Sequence, residues 1–134
     1  RASAVSDGTV SLPVAARPAA TVTIDKTVPT LEIRCSTQAT RSFASCPATS
    51  TAATLYVRLV ATDSSGDGSS FAADAIGVPA ALSDCTVHSS KVVAGANQQK
   101  VFACTARSTY TLNETVTDRA GNVSAAATAS FILQ

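Results

Sequence analysis

Between Leu55 and Ala61 the chain alternates without a slip: Leu55, Val57, Leu59 and Ala61 are apolar, with Tyr56 and Arg58 set between them. A period of two marks an extended strand with one buried face, because successive side chains point to opposite sides of a sheet. The same alternation recurs at Leu31, Ile33 and Cys35, with Glu32 and Arg34 facing away, and over Val101 to Cys104. It returns at Tyr110, Leu112 and Val116 against Thr111, Asn113, Thr115 and Thr117, and at Ala127, Ala129, Phe131 and Leu133. No segment sustains a helical period, and the one candidate for a short helix is the Ala-rich run from Phe71 to Ile76. Turn formers punctuate the runs at Asp63-Ser-Ser-Gly-Asp-Gly, Ala94-Gly-Ala-Asn and Asp118-Arg-Ala-Gly-Asn. About seven or eight short strands in this spacing predict an all-β chain folded as a two-sheet antiparallel sandwich.

Composition supports the reading. Ala, Thr and Ser supply 61 of 134 residues, and Val, Leu, Ile and Phe supply 29, enough apolar surface for one domain with a core of its own. β-branched Thr and Val outnumber every good helix former except Ala. The net charge is +1, with 14% charged residues. That leaves no basic stripe for nucleic acid and no polybasic segment for an anionic membrane surface. No apolar run approaches the roughly 20 residues that span a bilayer, so no membrane insertion is expected. The first residue is Arg1 rather than Met, which points to a processed protein or a fragment.

Four cysteines, at positions 35, 46, 85 and 104, include no CxxC pair, and one histidine completes the set of soft ligands. That spacing fits no zinc site, and two disulfides are expected, hence an oxidising compartment: extracellular, cell-surface or periplasmic. Three pairings are formally open. The midpoint of Cys85 and Cys104 falls at Ala94-Gly95, where a tight turn folds a hairpin, and that of Cys35 and Cys46 falls in a Ser/Thr-rich connection. The local pairs Cys35–Cys46 and Cys85–Cys104 are therefore favoured.

Three motifs carry a resemblance. Thr23-Ile-Asp-Lys-Thr-Val-Pro-Thr followed by a strand resembles the hinge between consecutive bacterial Ig-like domains, the repeat modules of surface adhesins and secreted proteins. Tyr110-Thr-Leu-Asn-Glu-Thr-Val-Thr-Asp-Arg-Ala-Gly-Asn-Val-Ser resembles their penultimate strand and closing turn, and Val60-Ala-Thr-Asp-Ser-Ser-Gly an earlier strand end. The chain departs from the family pattern in its cysteines and in Glu114, which stands where the family has an apolar residue. The resemblance implies an Ig-like sandwich over residues 27–134 and sets residues 1–26 apart as a leader or linker. Within that leader Val10, Leu12 and Val14 alternate, as do Val22 and Ile24, so it contains strand-capable pieces broken by Pro13 and Pro18. Such pieces can complete a sheet edge in the same chain or in a neighbouring copy.

Catalytic constellations are scarce. A Ser-His-Asp or Cys-His arrangement would have to use His88, which alternation places on the solvent side. No paired carboxylates stand in a glycosidase setting. One loop has metal-binding spacing: Asp63, Ser65, Asp67 and Asp74 occupy positions 1, 3, 5 and 12 of an EF-hand-like series, with Gly68 at position 6. Its twelfth residue is Asp rather than Glu and no helices flank it, so a solvated turn competes with a weak calcium site; no other cofactor is expected. The expectation for function is a non-catalytic extracellular module of a bacterial surface or secreted protein, serving as spacer, adhesion domain or fibre-assembly unit. Its partners would be a protein or glycan surface ligand, or neighbouring copies of itself. The alternative is an accessory carbohydrate-contacting domain of a secreted hydrolase.

Overall fold

The computed structural model describes residues 26–63, 71–72, 74–93 and 97–134. Among these residues the strands are β1 (Thr30–Ser36), β2 (Thr49–Ser50), β3 (Leu55–Thr62), β4 (Thr86–Val93), β5 (Asn97–Cys104), β6 (Thr109–Glu114) and β7 (Ala127–Leu133). One sheet has the order β1-β3-β5-β4 and the other β2-β7-β6. The chain is thus an all-β sandwich. Every pairing is antiparallel except the two-residue contact of β2 with β7, which is parallel. No described helix is long and apolar enough to cross a membrane.

The alternation read from the sequence sorts the side chains between core and surface. Leu55, Val57, Leu59 and Ala61 of β3 are all buried; the first three cluster with Tyr110 and Leu112 of β6 and Phe131 and Leu133 of β7 across the sandwich, and Ala61 with Phe71 and Val116. Phe102 of β5 lies at the centre with no exposed surface. The rings of Tyr110 and Phe131, paired across β6 and β7, stack with centroids 5.0 Å apart. Burial of a side chain this size stabilises by about 1.5–3 kcal/mol. Val116 is also buried, although β6 ends at Glu114; the chain there leaves the ladder for a turn. Glu114, on the inward side of β6, is half-buried at the strand end.

Two disulfides lock the sandwich, Cys35–Cys46 and Cys85–Cys104, the local pairs that the spacing favoured. The first closes a loop that folds back beside β1, where Cys35 and Ala44 exchange backbone hydrogen bonds of 2.8 and 3.0 Å. The second ties the residue before β4 to the last residue of β5.

The segment from Phe71 to Ile76 does not become a helix. Its described residues lie across the inner side of β5, where the buried Gln98 side chain takes up their backbone groups: Ala75 N–H donates to Oε1 at 2.9 Å, and Nε2 donates to the Ala72 carbonyl. Asp74 and Gly77 both have positive φ, which breaks a helical path, and the only helical turn described is a 3-10 turn at Ala80–Leu82. Propensity lost to a buried side chain that needed partners.

Candidate binding face

The chain has four Phe, two Tyr, one His and no Trp. Phe71, Phe102, Phe131 and Tyr110 are buried. The three other rings, Phe43, Tyr56 and His88, make their contacts on the outer face of the four-stranded sheet, in two pairs. Tyr56 and His88 meet edge to face, with centroids 5.3 Å apart and planes at 72°. The guanidinium of Arg58 lies over the ring of Phe43, 4.4 Å from its centroid. Tyr56 and Arg58 are two residues apart on β3 and so share that face.

Each ring arrives by a different device. Phe43 sits in the loop that Cys35–Cys46 closes, next to the Ala44 bridge, which sets it beside the outer edge of β1. Within that loop Ser36 Oγ donates to the Arg41 carbonyl at 2.7 Å and accepts from Gln38 N–H at 2.9 Å, so the loop's path is fixed by its own hydrogen bonds. His88 is the extra residue of a β-bulge: β4 and β5 shift register between Val87 and Ser89. The shift frees His88 from the ladder and swings it toward Tyr56, as bulges next to functional surfaces commonly do. His88 is exposed, as alternation indicated.

Arg58 is the unusual member of the group. Among the described residues it forms no ion pair, and its Nε is buried without a hydrogen-bond partner. Directly across the ladder stands Arg34, a like charge in a position that ordinarily destabilises a sheet. Arg34 is answered by Glu32, whose carboxylate it meets at 2.8 Å on the same strand face. Arg58 has only the face of Phe43, a contact that holds a guanidinium in place without neutralising it. On its other flank, Val101 of β5 is 2% exposed although no second sheet covers that side. Arg58 stands directly opposite it in the ladder. The result is a half-buried guanidinium held against one ring, with the Tyr56–His88 pair on the same open face.

The loop with calcium spacing is placed only at its ends. Ser65 and Asp67 lie outside the described residues. Asp63 is buried, and Asp74 is exposed with its Oδ1 accepting from the ammonium of Lys100, itself a buried inward-facing lysine of β5. No group of three or more His, Cys, Asp and Glu side chains is arranged for a metal among the described residues. Val10, Leu12, Val14, Val22 and Ile24, the strand-capable leader positions, also lie outside them.

The Asp118–Asn122 segment closes as the turn its residues indicated. Asp118 Oδ1 accepts from Asn122 N–H at 2.8 Å and Oδ2 from Asn122 Nδ2 at 3.0 Å, while Gly121 takes φ +93°. Burial pushes the Asp118 carboxyl upward, but hydrogen bonds from Asn122, the Ala120 backbone and Asp63 outweigh it and hold the group below its ordinary value. Tyr110 moves the other way. Its burial, with the Asp84 charge adding and Arg107 opposing, raises the phenol above its ordinary value. Its hydroxyl donates to the Ala106 carbonyl at 2.7 Å.

Alternation in the sequence identifies Tyr56 and Arg58 as outward residues but says nothing of their company. Phe43, on a loop, belongs to no periodic pattern, and alternation gave His88 as outward without the bulge that turns it toward Tyr56. Comparison with protein families, with curated proteins and with solved structures finds no match to this chain.

Proposed function

We propose that the chain is a non-catalytic Ig-like module of a bacterial surface or secreted protein, and that it meets its ligand through the outer face of the four-stranded sheet. The observation that carries the reading is the division of the rings: every described ring outside the core makes its contact on one sheet face, which also holds an arginine with no acid partner among the described residues. A surface with no such role scatters its few exposed aromatics singly. Two features support the Ig-like part of the reading. The order β1-β3-β5-β4, with β6 and β7 in the opposite sheet, follows the A-B-E-D and F-G arrangement of Ig sandwiches. The bond from Tyr110, near the start of β6, back to Ala106 has the form of the tyrosine corner of those folds. The two disulfides fit an extracellular or periplasmic setting.

The test is binding of the purified chain to a broad array of glycans and surface proteins, compared with Tyr56→Ala. A ligand bound by the parent chain and lost in the variant supports the reading; turnover of an ester, peptide or glycoside overturns it.

A second reading, assembly with neighbouring copies, is favoured by β6. Ser108 and Leu133 exchange backbone hydrogen bonds of 3.1 and 2.9 Å, so by antiparallel parity Tyr110 and Leu112 point their amides at β7 while Thr111 and Asn113 point theirs away. No described strand pairs with that edge. A strand donated by the leader of another copy would fill it. Deleting residues 1–20 then dissolves any polymer and leaves a folded monomer; unchanged size on a column discards this reading.

A further inference from the structure

We infer that the outer face binds a carboxylate-bearing polysaccharide, with Arg58 taking the carboxylate and Tyr56 and His88 the sugar faces. The inference rests on the proposed role of this face and adds the chemistry of what it holds. Arg58 presents a planar fork of donors suited to a carboxylate, and none of its donors is engaged by an acid or a carbonyl among the described residues. Arg34 directly opposite adds repulsion that an anion between the two columns would relieve, and Glu32 cancels only Arg34. Phe43 holds the guanidinium on one side, so its position is set before a ligand arrives.

The rings choose among anions. Aromatic faces stack on the C–H-bearing faces of sugars, and the Tyr56–His88 pair, set at 72°, offers one ring face and one edge beside Arg58. The surface around them is open sheet, with Val60, Gln99 and Ala103 half-buried, which suits a chain lying across strands rather than a small molecule in a pocket. An acidic peptide would seek a free edge for its backbone or pockets for its side chains, and β3 and β5 are paired on both sides here. Nucleic acid needs many cations at phosphate spacing, whereas this face has two uncompensated cations among the described residues, Arg58 and Lys91, and carries Glu32. A carboxylate on every sugar or every second sugar offers one partner at a time to one guanidinium.

The test uses the full chain and titration calorimetry against three polymers, polygalacturonate, hyaluronan and α2,8-polysialate, with methyl-esterified polygalacturonate and polyglutamate as controls. Binding to at least one acidic glycan is expected. It should weaken by about tenfold or more on esterification, in Arg58→Gln and in Tyr56→Ala, and less in Arg58→Lys, which keeps the charge but loses the fork. Affinity should fall with added salt as for about one ion pair. Melting curves establish that each variant is folded, and Asn113→Ala, exposed on the opposite sheet, should bind as the parent does. Equal binding of polyglutamate, or of the methyl ester, overturns the inference. So does failure of all three acidic glycans at millimolar sugar. If Tyr56→Ala then still loses some other ligand, the role of the face survives; if every binding signal is indifferent to Tyr56 and Arg58, both fall together.

Discussion

Along β3 two surfaces share eight residues. On the inner side Leu55, Val57, Leu59 and Ala61 are at most 1% exposed, and the first three belong to the apolar core. On the outer side Tyr56, Arg58 and Val60 are half-buried, and between them stand a ring pair, a cation over a ring and a like-charge contact. The inner side is what a strand needs in order to fold. The outer side contains an arrangement that folding alone rewards little, since the repulsion between two opposed arginines offsets what the contact with Phe43 contributes. The contrast teaches that the stabilising surface and the one proposed for recognition are separated here by one residue of phase.

The contrast breaks first if the inner side proves dispensable. Phe102→Ala should cost about 3–5 kcal/mol in denaturant unfolding, because a fully buried ring leaves a cavity between tightly packed sheets. Next come the disulfides. Replacing Cys85 and Cys104 by Ser should cost about 3 kcal/mol, and replacing Cys35 and Cys46 about half a kcal/mol less, since their sequence separations are 19 and 11 and the loop-closure term grows with length. The smaller loss should nevertheless be the one that also disturbs the outer face, because Phe43 hangs from that loop.

Asp118 sharpens the comparison through pH. Its carboxyl is held below the ordinary value near 3.8, so the folded state binds that proton more weakly than the unfolded one. The stabilisation is complete above the ordinary carboxylate range and drains away as pH falls through the depressed value. Asp118→Asn should therefore lower the melting temperature at neutral pH and narrow the gap to the parent below about pH 4, read from melts across that range.

The smallest effects belong to the outer side. Tyr56→Ala should change stability by about 1 kcal/mol or less, the scale of one edge-to-face contact. Arg58→Gln should lie within about 0.5 kcal/mol of the parent, as the lost ring contact and the relieved repulsion from Arg34 nearly cancel. A double-mutant cycle with Arg34→Gln should return a repulsive coupling; an attractive one would mean the two guanidinia are bridged. Large stability losses at either position would make the outer face part of the scaffold and erase the distinction.

The period-two runs around Leu31, Leu55, Val101, Tyr110 and Phe131 made the strands legible in the sequence, since each follows from a local side-chain alternation. The hairpin between Cys85 and Cys104 was legible for the same reason, from a turn midway. What could not be read was whatever depends on register. Arg34 meets Arg58 because β1 and β3 pair at that offset, and His88 reaches Tyr56 because β4 gains a residue against β5. The Phe71–Ile76 run reads as helical until Gln98, more than twenty residues on, claims its backbone. β2 is too short, at two residues, to leave any periodic trace.

That short parallel contact also decides how the domain would respond to tension. When the chain is pulled from before β1 and from beyond β7, β2 and β7 are drawn past each other in shear. The bonds from Ile132 N–H to Ala48 and from Gln134 N–H to Ser50, at 2.9 and 2.8 Å, are then loaded together instead of opening one after another. Cys35–Cys46 removes the ten residues between its ends from the extensible length, about 35 Å of slack at full extension. Force entering through β1 passes across the sulfur bridge almost directly to β2. Oxidation thus turns a two-residue strand into a mechanical clasp, one that a reducing milieu would let slip.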